Sequence, residues 1–285
     1  MFCSMPNRRS FSCGALMSIL VAVTGCSDDG PASPDGDGGE ITLAEIWPAA
    51  VGNSWDYDVI SKTYWTNDVI YDNLEDVPPP ADWEDIYTAL QSDSPGVLDH
   101  TSTGTYGYSF GDTVAAGPQE VAFSVVVEGD RSVFTLPQTE EIWKRSDNGV
   151  ERHYEDSALQ YVYAGSSLEP GYSFSYTMWE EFHYIVYAKL KVWARRSFVV
   201  GGQTYRNCVQ TLMSLDIPPV QIVDEGGGVI GYAREEWYGE TIFAPGIGII
   251  YVRLRIRQPA SISREWNTYI EDTVAHLEDC SLQGE

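Results

Sequence analysis

The sequence predicts a mainly β fold, either a strongly curved antiparallel sheet or a partial β-barrel, with one or two short helices. Two observations lead to this prediction. Tyr, Trp, Val and Ile recur at alternate positions along much of the chain, and Gly, Asn and Asp interrupt these runs at short intervals. Alternation with a period of two is typical of strands that bury one face, and the interrupting residues favour turns between strands.

The first 25 residues have the pattern of a signal peptide that precedes a lipidated cysteine. Two arginines come before an apolar stretch at 11–23, which is shorter than the roughly 20 residues needed to cross a bilayer. Val23-Thr24-Gly25-Cys26 resembles the bacterial lipobox. The resemblance implies that residues 1–25 are removed and that Cys26 carries the lipid. The alternative is ordinary secretion, with Cys26 as a plain thiol.

Residues 26–40 are predicted to be a disordered acidic tether. The segment is rich in Asp, Gly and Pro, and none of its apolar residues is larger than Ala32, so it cannot bury enough surface to fold. Ser27, rather than Asp, follows the cysteine. By resemblance to lipoproteins of enterobacterial type, this residue indicates the outer membrane, with the protein facing the periplasm or the cell surface.

Residues 41–285 are predicted to form a single all-β domain, because no second linker is found. SWDYDVISKTYW, at 54–65, predicts an early strand. The segment ADWEDIYTAL, at 81–90, follows three prolines and places Trp83, Ile86, Tyr87 and Leu90 at the spacing of one helix face. This segment therefore predicts a short helix.

The rest of the domain reads as a succession of antiparallel strands with glycine-containing turns. A hairpin is predicted to turn at 147–149, and residues 182–200 form one long strand or two strands with a bulge. Further turns are predicted at 201–202 and 226–228, with strands at 203–215, 232–243 and 248–257. Residues 263–279 fit either a helix or a strand.

Two cysteines, Cys208 and Cys280, remain after the signal peptide and Cys26 are set aside. In an oxidising compartment such a pair indicates one disulfide. The alternative is two buried free thiols.

The formal net charge is −25, from 17 basic and 42 acidic residues. Such an acidic chain is a poor candidate for nucleic-acid binding, because phosphate contacts need Lys and Arg. Hydrolase, zinc-protease and phosphate-loop motifs are absent from the sequence, so we expect no enzyme activity and no cofactor. One alternative is a metal site, if the face of Glu151, His153 and Glu155 met that of Glu181 and His183.

Basic residues alternate on two predicted strands and could form a cationic face for an anionic ligand. Trp193 lies within the first set. The six residues are Lys189, Lys191, Arg195, Arg253, Arg255 and Arg257. The prediction requires the two strands to lie side by side. The alternative is cross-strand pairing with acids such as Glu235 and Glu236.

Three segments, in order, resemble a broad group of uncharacterised bacterial lipoproteins related to the half-barrel fold of the LolA/LolB lipoprotein carriers. They are IWPAAVGNSWDYDV at 46–59, FVVGGQTYRNCVQTLMSL at 198–215 and EEWYGETIFAPGIGIIYVRL at 235–254. The resemblance implies a final strand near 273–282 and supplies no catalytic residue. Independently, Trp55 and Trp237 are expected to be core anchors.

These observations lead to two functional expectations. The first is a non-enzymatic, membrane-anchored envelope lipoprotein that binds an apolar or amphiphilic ligand, or an envelope protein partner, through a curved sheet. The second is a surface glycan-binding or adhesion module, because 18 Tyr and 9 Trp could supply exposed rings that stack on sugars.

Overall fold

The computed structural model describes residues 40–48, 53–109, 114–115, 120–125, 139–146, 149–154, 157–181, 184–224, 227–259 and 267–282. The predicted signal peptide, the lipobox with Cys26 and all of the tether except Glu40 lie outside these ranges. The described residues form a mainly β structure with two short helices, α1 (Leu43–Ile46) and α2 (Trp83–Gln91).

The strands alternate with turns along the chain, as predicted. Their bounds are β1 (Ser54–Thr66), β2 (Val97–Ser109), β3 (Val114–Ala115), β4 (Glu120–Val125), β5 (Thr139–Ser146), β6 (Gly149–Tyr154), β7 (Ser157–Gly165), β8 (Ser173–Glu181), β9 (Tyr184–Val200), β10 (Gln203–Asp216), β11 (Val220–Val223), β12 (Val229–Ala233), β13 (Glu236–Ala244), β14 (Gly248–Pro259) and β15 (Thr268–Ser281).

Eight of these strands form a continuous antiparallel sheet in the order β2-β1-β15-β14-β13-β10-β9-β8. Strands β4 to β7 extend the sheet beyond β2, where a single residue pair, Ser109 with Ser124, joins β2 to β4. In the described part of the chain, no ladder joins β8 to the opposite end of the sheet. The mainly β prediction is confirmed, but the sheet is neither closed nor strongly curled, so neither the predicted strong curvature nor the predicted partial barrel is observed.

The predicted early strand is confirmed by β1, in which burial alternates from residue to residue. Trp55, Tyr57 and Val59 are buried, while the residues between them are half-exposed. The ring of Trp55 stacks on Trp47 with a centroid separation of 5.8 Å. Trp55 is therefore the core anchor that the sequence predicts. Trp237 is only half-buried, and the neighbouring Tyr238 is buried in its place.

The turn between β13 and β14 is fastened to β1 by two long-range hydrogen bonds. Trp55 Nε1 donates to the carbonyl of Ile247 at 2.6 Å, and the Tyr57 hydroxyl donates to the carbonyl of Ile249 at 2.8 Å. Gly246 and Gly248 have φ of 76° and 106°, a region that favours glycine. The Ala-Pro-Gly-Ile-Gly segment is thus a tight turn held against the core.

The predicted helix at 81–90 is confirmed by α2. Its N-cap is Asp82, whose carboxylate accepts hydrogen bonds from the backbone N–H groups of Glu84 and Asp85. Ile86 and Leu90 are buried on the face that the spacing predicts. They pack against a hydrophobic cluster that includes Leu212 of β10. The helix therefore covers the centre of one sheet face.

The ambiguity at 263–279 is resolved in favour of a strand, because β15 runs from Thr268 to Ser281. It lies between β1 and β14, with which it forms two long antiparallel ladders. A partner on each side satisfies its backbone groups along most of its length, which overrides the helical spacing of its apolar residues.

A small second sheet, the β11–β12 hairpin, docks beside the main one. Tyr232 forms an isolated antiparallel bridge with Tyr71. Gly231 has φ of 151°, and a Cβ there would lie 2.3 Å from the Ile70 side chain, so only glycine fits this contact. The predicted glycine turn at 226–228 joins the two strands, with Gly226 outside the described residues. The other predicted hairpin is confirmed by the pairing of β5 with β6, with 147–148 outside the described residues.

Candidate functional site

The six predicted cationic residues lie on β9 and β14, but these strands are not neighbours. Strands β13 and β10 lie between them in the sheet. The prediction of one continuous cationic face is therefore wrong, because it required the two strands to be adjacent. The two sets of cations have different surroundings.

The arginines of β14 bind the end of α2 and a carboxylate on β15. Arg253 and Arg255 donate to backbone carbonyls at the C-terminal end of α2, among them the carbonyl of Ser92, which lies 2.8 Å from Arg255 Nη2. Both also donate to Asp272, from Arg253 Nη2 at 2.7 Å and Arg255 Nη2 at 2.6 Å. Cations at this position offset the negative end of the helix dipole. We call Arg253, Arg255, Asp272 and these carbonyls the arginine cluster.

Asp272 is buried at the centre of the arginine cluster. Burial by itself would raise the pKa of this carboxyl, but hydrogen bonds from Arg253, Ser94 and Arg255 outweigh it and lower the pKa to about 2. Ser94, which follows α2, donates from its hydroxyl at 2.7 Å. The cluster is therefore an ionic network that fixes α2 to the sheet, and within the described structure Arg255 Nε is buried in it without a hydrogen-bond partner.

Arg257 is also paired with acids. Its guanidinium donates to the Asp68 carboxylate from both Nε and Nη2, and Nη1 lies 3.7 Å from Glu236. Cross-strand pairing with acids is therefore observed for β14, with Glu236 as one predicted partner and Asp68 and Asp272 as partners that the sequence did not indicate. Glu235 instead accepts from Trp237 Nε1 and Gln258 Nε2.

On β9, a bulge at Trp193 changes which cations share a face. Ala194 pairs with Gln210 and Val192 pairs with Thr211, so Trp193 has no residue opposite it in this ladder. The extra residue shifts the alternation by one beyond this point. Accordingly, Arg195 contacts Glu169 at 3.2 Å, whereas Arg196 reaches the Tyr87 hydroxyl on α2.

The β9 residues on the α2 side differ in whether their charge is paired. Lys189 donates to Asp216 at 2.8 Å. Lys191 instead lies over the Trp193 ring, 5.2 Å from its centroid, and Arg196 lies over the Phe198 ring at 4.8 Å. Within the described ranges, neither Lys191 nor Arg196 has a carboxylate within 4.0 Å.

These side chains form one partly exposed surface beside α2. The rings of Tyr87 and Trp193 are 5.1 Å apart and inclined by 30°. Arg196 is exposed, and the other members are half-buried. We call Tyr87, Lys191, Trp193, Arg196 and Phe198 the aromatic surface. Of its members, the sequence predicted only Lys191 as a ligand residue, with Trp193 noted beside it.

Next to the aromatic surface, the sheet buries a carboxyl group. Glu240 is 3% exposed and accepts hydrogen bonds from Gln210 and, at 3.1 Å, from Gln91 Nε2 of α2. Burial raises the pKa of Glu240, against the opposing effects of these hydrogen bonds and of the charges on Arg253 and Arg196. Gln210 Oε1 is buried without a hydrogen-bond partner in the described structure.

Neither the disulfide nor the metal alternative is formed by the described residues. Cys208 is buried on β10 and Cys280 is half-buried on β15, a strand that is not a neighbour of β10 in the sheet, and no disulfide joins the two. No three ligand-type side chains in the described part could hold an ion. The side chains of the predicted metal alternative, Glu151, His153, Glu155, Glu181 and His183, lie outside the described residues.

No protein-family model, curated protein or solved structure matches this chain. The similarity to the LolA/LolB lipoprotein carriers therefore stays an expectation from three sequence segments. Neither helix in the described ranges has the length and apolarity that crossing a bilayer requires.

Proposed function

We propose that this chain is a lipid-anchored, non-enzymatic protein of the bacterial cell envelope, which binds an envelope ligand or partner through its β domain. One observation carries the proposal: Val23-Thr24-Gly25-Cys26 ends a short apolar segment and is followed by an acidic, Gly- and Pro-rich stretch up to residue 40. This order is typical of a lipid anchor, a flexible tether and a domain held away from the membrane. Ser27 favours the outer membrane.

The aromatic surface supports the glycan-binding version of the proposal more than the apolar-ligand version. An apolar ligand is usually enclosed in a concave site, whereas the described sheet is open at its edges. The aromatic surface instead combines inclined rings with two cations that have no carboxylate partner among the described residues, at a position that is partly exposed. We therefore place the binding surface at α2 and β9.

Acyl labelling in a bacterial host tests the anchor. Cells that express the full-length chain are fed an alkyne-tagged palmitate, and the protein is isolated from the membrane fraction. We expect the unaltered chain to be labelled and membrane-bound, and Cys26→Ser to be unlabelled. Cys13→Ser, which changes a cysteine within the predicted signal peptide, is the matched control and should behave as the unaltered chain. Equal labelling of Cys26→Ser, or no labelling of any variant, would overturn the anchor.

A further inference from the structure

We propose that the aromatic surface binds an acidic saccharide, with a sugar ring on Trp193 and Tyr87 and a sugar carboxylate on Arg196 and Lys191. The inference rests on the proposed role as a binding protein and names the ligand class of its binding surface. It depends on three features of the described residues: the unpaired cations, the bulge, and the geometry of the rings.

The first feature is that, in the described part of the chain, Lys191 and Arg196 lack the carboxylate partner that their neighbours have. Lys189 and Arg195, on the same strand, each contact a carboxylate. The arginines of β14 are likewise paired. In a chain with a net charge of −25, two cations that contact the Tyr87–Trp193 ring pair and have no carboxylate partner in the described residues provide a local site for an anion.

The second feature is the number of free donors on Arg196. Its Nη2 donates to the Tyr87 hydroxyl at 3.2 Å, which fixes the guanidinium beside α2. No acceptor lies within hydrogen-bond distance of Nη1 or Nε among the described residues. Nη2 has two N–H groups and Tyr87 takes one, so the other lies parallel to a free N–H of either Nε or Nη1. Such a parallel pair matches a carboxylate, whose two oxygens accept both N–H groups at once.

The third feature is the bulge that sets Trp193 between the two cations. A regular strand would have placed Arg195, and not Arg196, on the side of Lys191 and Trp193. The bulge therefore brings Lys191, Trp193 and Arg196 together, in the manner of bulges that re-aim a side chain near a binding site. Half-burial of Trp193 and Tyr87 holds the rings in place while leaving part of their surface uncovered.

These features favour an acidic saccharide over other ligands. Inclined, partly exposed rings suit the apolar face of a sugar, and the cations suit a carboxylate. A neutral glycan would leave both cations unpaired. A nucleic acid needs many phosphate contacts from Lys and Arg, whereas this surface offers two cations, which suit a single carboxylate.

Binding of the purified full-length chain in non-ionic detergent tests the inference. The probes are immobilised oligomers of galacturonate, glucuronate, mannuronate and sialic acid, each beside its methyl-esterified, uncharged counterpart. We expect at least one acidic oligomer to be bound at least about tenfold more tightly than its ester, because the carboxylate supplies the charge-assisted hydrogen bonds. Binding should weaken as salt rises.

Two pairs of variants locate the binding at the aromatic surface. Arg196→Gln should weaken binding by about tenfold or more, while Arg195→Gln, its neighbour on the other face, should bind as the unaltered chain. Trp193→Ala should lose binding, and Trp193→Phe should retain part of it. Thermal unfolding of each variant shows whether it is folded. If Trp193→Ala does not fold, Trp193→Phe and the two arginine variants still test the inference.

Three outcomes would overturn the inference: no acidic oligomer is retained, the esters bind equally well, or Arg196→Gln and Arg195→Gln bind alike. Because acyl labelling at Cys26 is read separately, a failed saccharide test with normal labelling rejects the ligand and leaves the anchored envelope protein standing.

Discussion

Replacing Asp272 by Asn tests whether the arginine cluster stabilises the fold through its charge. The substitution keeps the shape of the side chain and removes its negative charge. Asp272 accepts hydrogen bonds from Arg253, Arg255 and Ser94. Without that charge, two largely buried guanidinium groups lose the counter-ion that they share in the described structure. The side chain of Arg255 is 7% exposed, so water cannot replace the lost partner.

The expected magnitude follows from the pKa of Asp272. Folding lowers this pKa from 3.8 to about 2. A shift of this size corresponds to about 2.5 kcal/mol of stability at pH 7, because each pKa unit is worth about 1.36 kcal/mol. An acid with a lowered pKa stabilises the fold above its unfolded pKa, and that contribution is lost as the pH falls through the folded pKa. At pH 3, about 1.3 kcal/mol should remain.

Urea unfolding of the full-length chain and of Asp272→Asn, at pH 7 and at pH 3, measures this difference. Asp279→Asn, on the same strand, is the control. Asp279 helps to raise the pKa of Asp56, so removing its charge should cause no loss of stability. Equal stability of Asp272→Asn and the unaltered chain at pH 7 would refute the reasoning. A loss of the same size at both pH values would show that the effect is steric.

Three further predictions concern other parts of the fold. Glu240→Gln should stabilise the chain more at pH 8 than at pH 5, because burial raises the pKa of Glu240 and its charged form destabilises the fold as the pH rises. Urea unfolding at both pH values measures this, and a larger gain at pH 5 would contradict it. Gly231→Ala should lower the midpoint of thermal unfolding much more than Gly246→Ala, because a Cβ would collide with its neighbours at 231 and meets nothing within 4 Å at 246. Equal losses would contradict this and would show that backbone strain at positive φ, rather than the collision, causes both. Native alkylation should modify Cys280 before Cys208, because burial raises the pKa of the Cys208 thiol to about 12. Non-reducing peptide mapping that found the two cysteines linked would contradict the absence of a disulfide between them.

The spacing of apolar residues and the positions of glycines predicted the strand, helix and turn whose conformation is set by their own residues. The alternation of Trp55, Tyr57 and Val59 predicted β1, and the spacing of Ile86 and Leu90, after three prolines, predicted α2. Both patterns work because the side-chain period of a strand or helix is set by its own backbone. The paired-glycine turn at 201–202 follows the same logic, since both residues adopt positive φ.

Features that depend on distant pairing were not predictable. Nothing local to Arg255 indicates that Asp272 is its partner or that Ser92 lies against it. The predicted cationic face failed for two reasons of this kind. Strand order separates β9 from β14, and the bulge at Trp193 exchanges Arg195 for Arg196. A bulge is defined by what pairs opposite it, so the alternation of one strand cannot reveal it.

The position of β15 has a consequence for how this chain is made. Ser61 of β1 and Thr273 of β15 are hydrogen-bonded across 212 residues of sequence. Until β15 emerges, β1 and β14 each present a bare edge, the kind of surface on which strands of different molecules join. Synthesis or export that stalls before residue 268 would therefore leave a sheet without β15, in which β1 and β14 have unpaired edges that can join strands of other molecules. Because β15 is synthesised last and pairs with both edges, each new chain is protected from this aggregation only near the end of its synthesis.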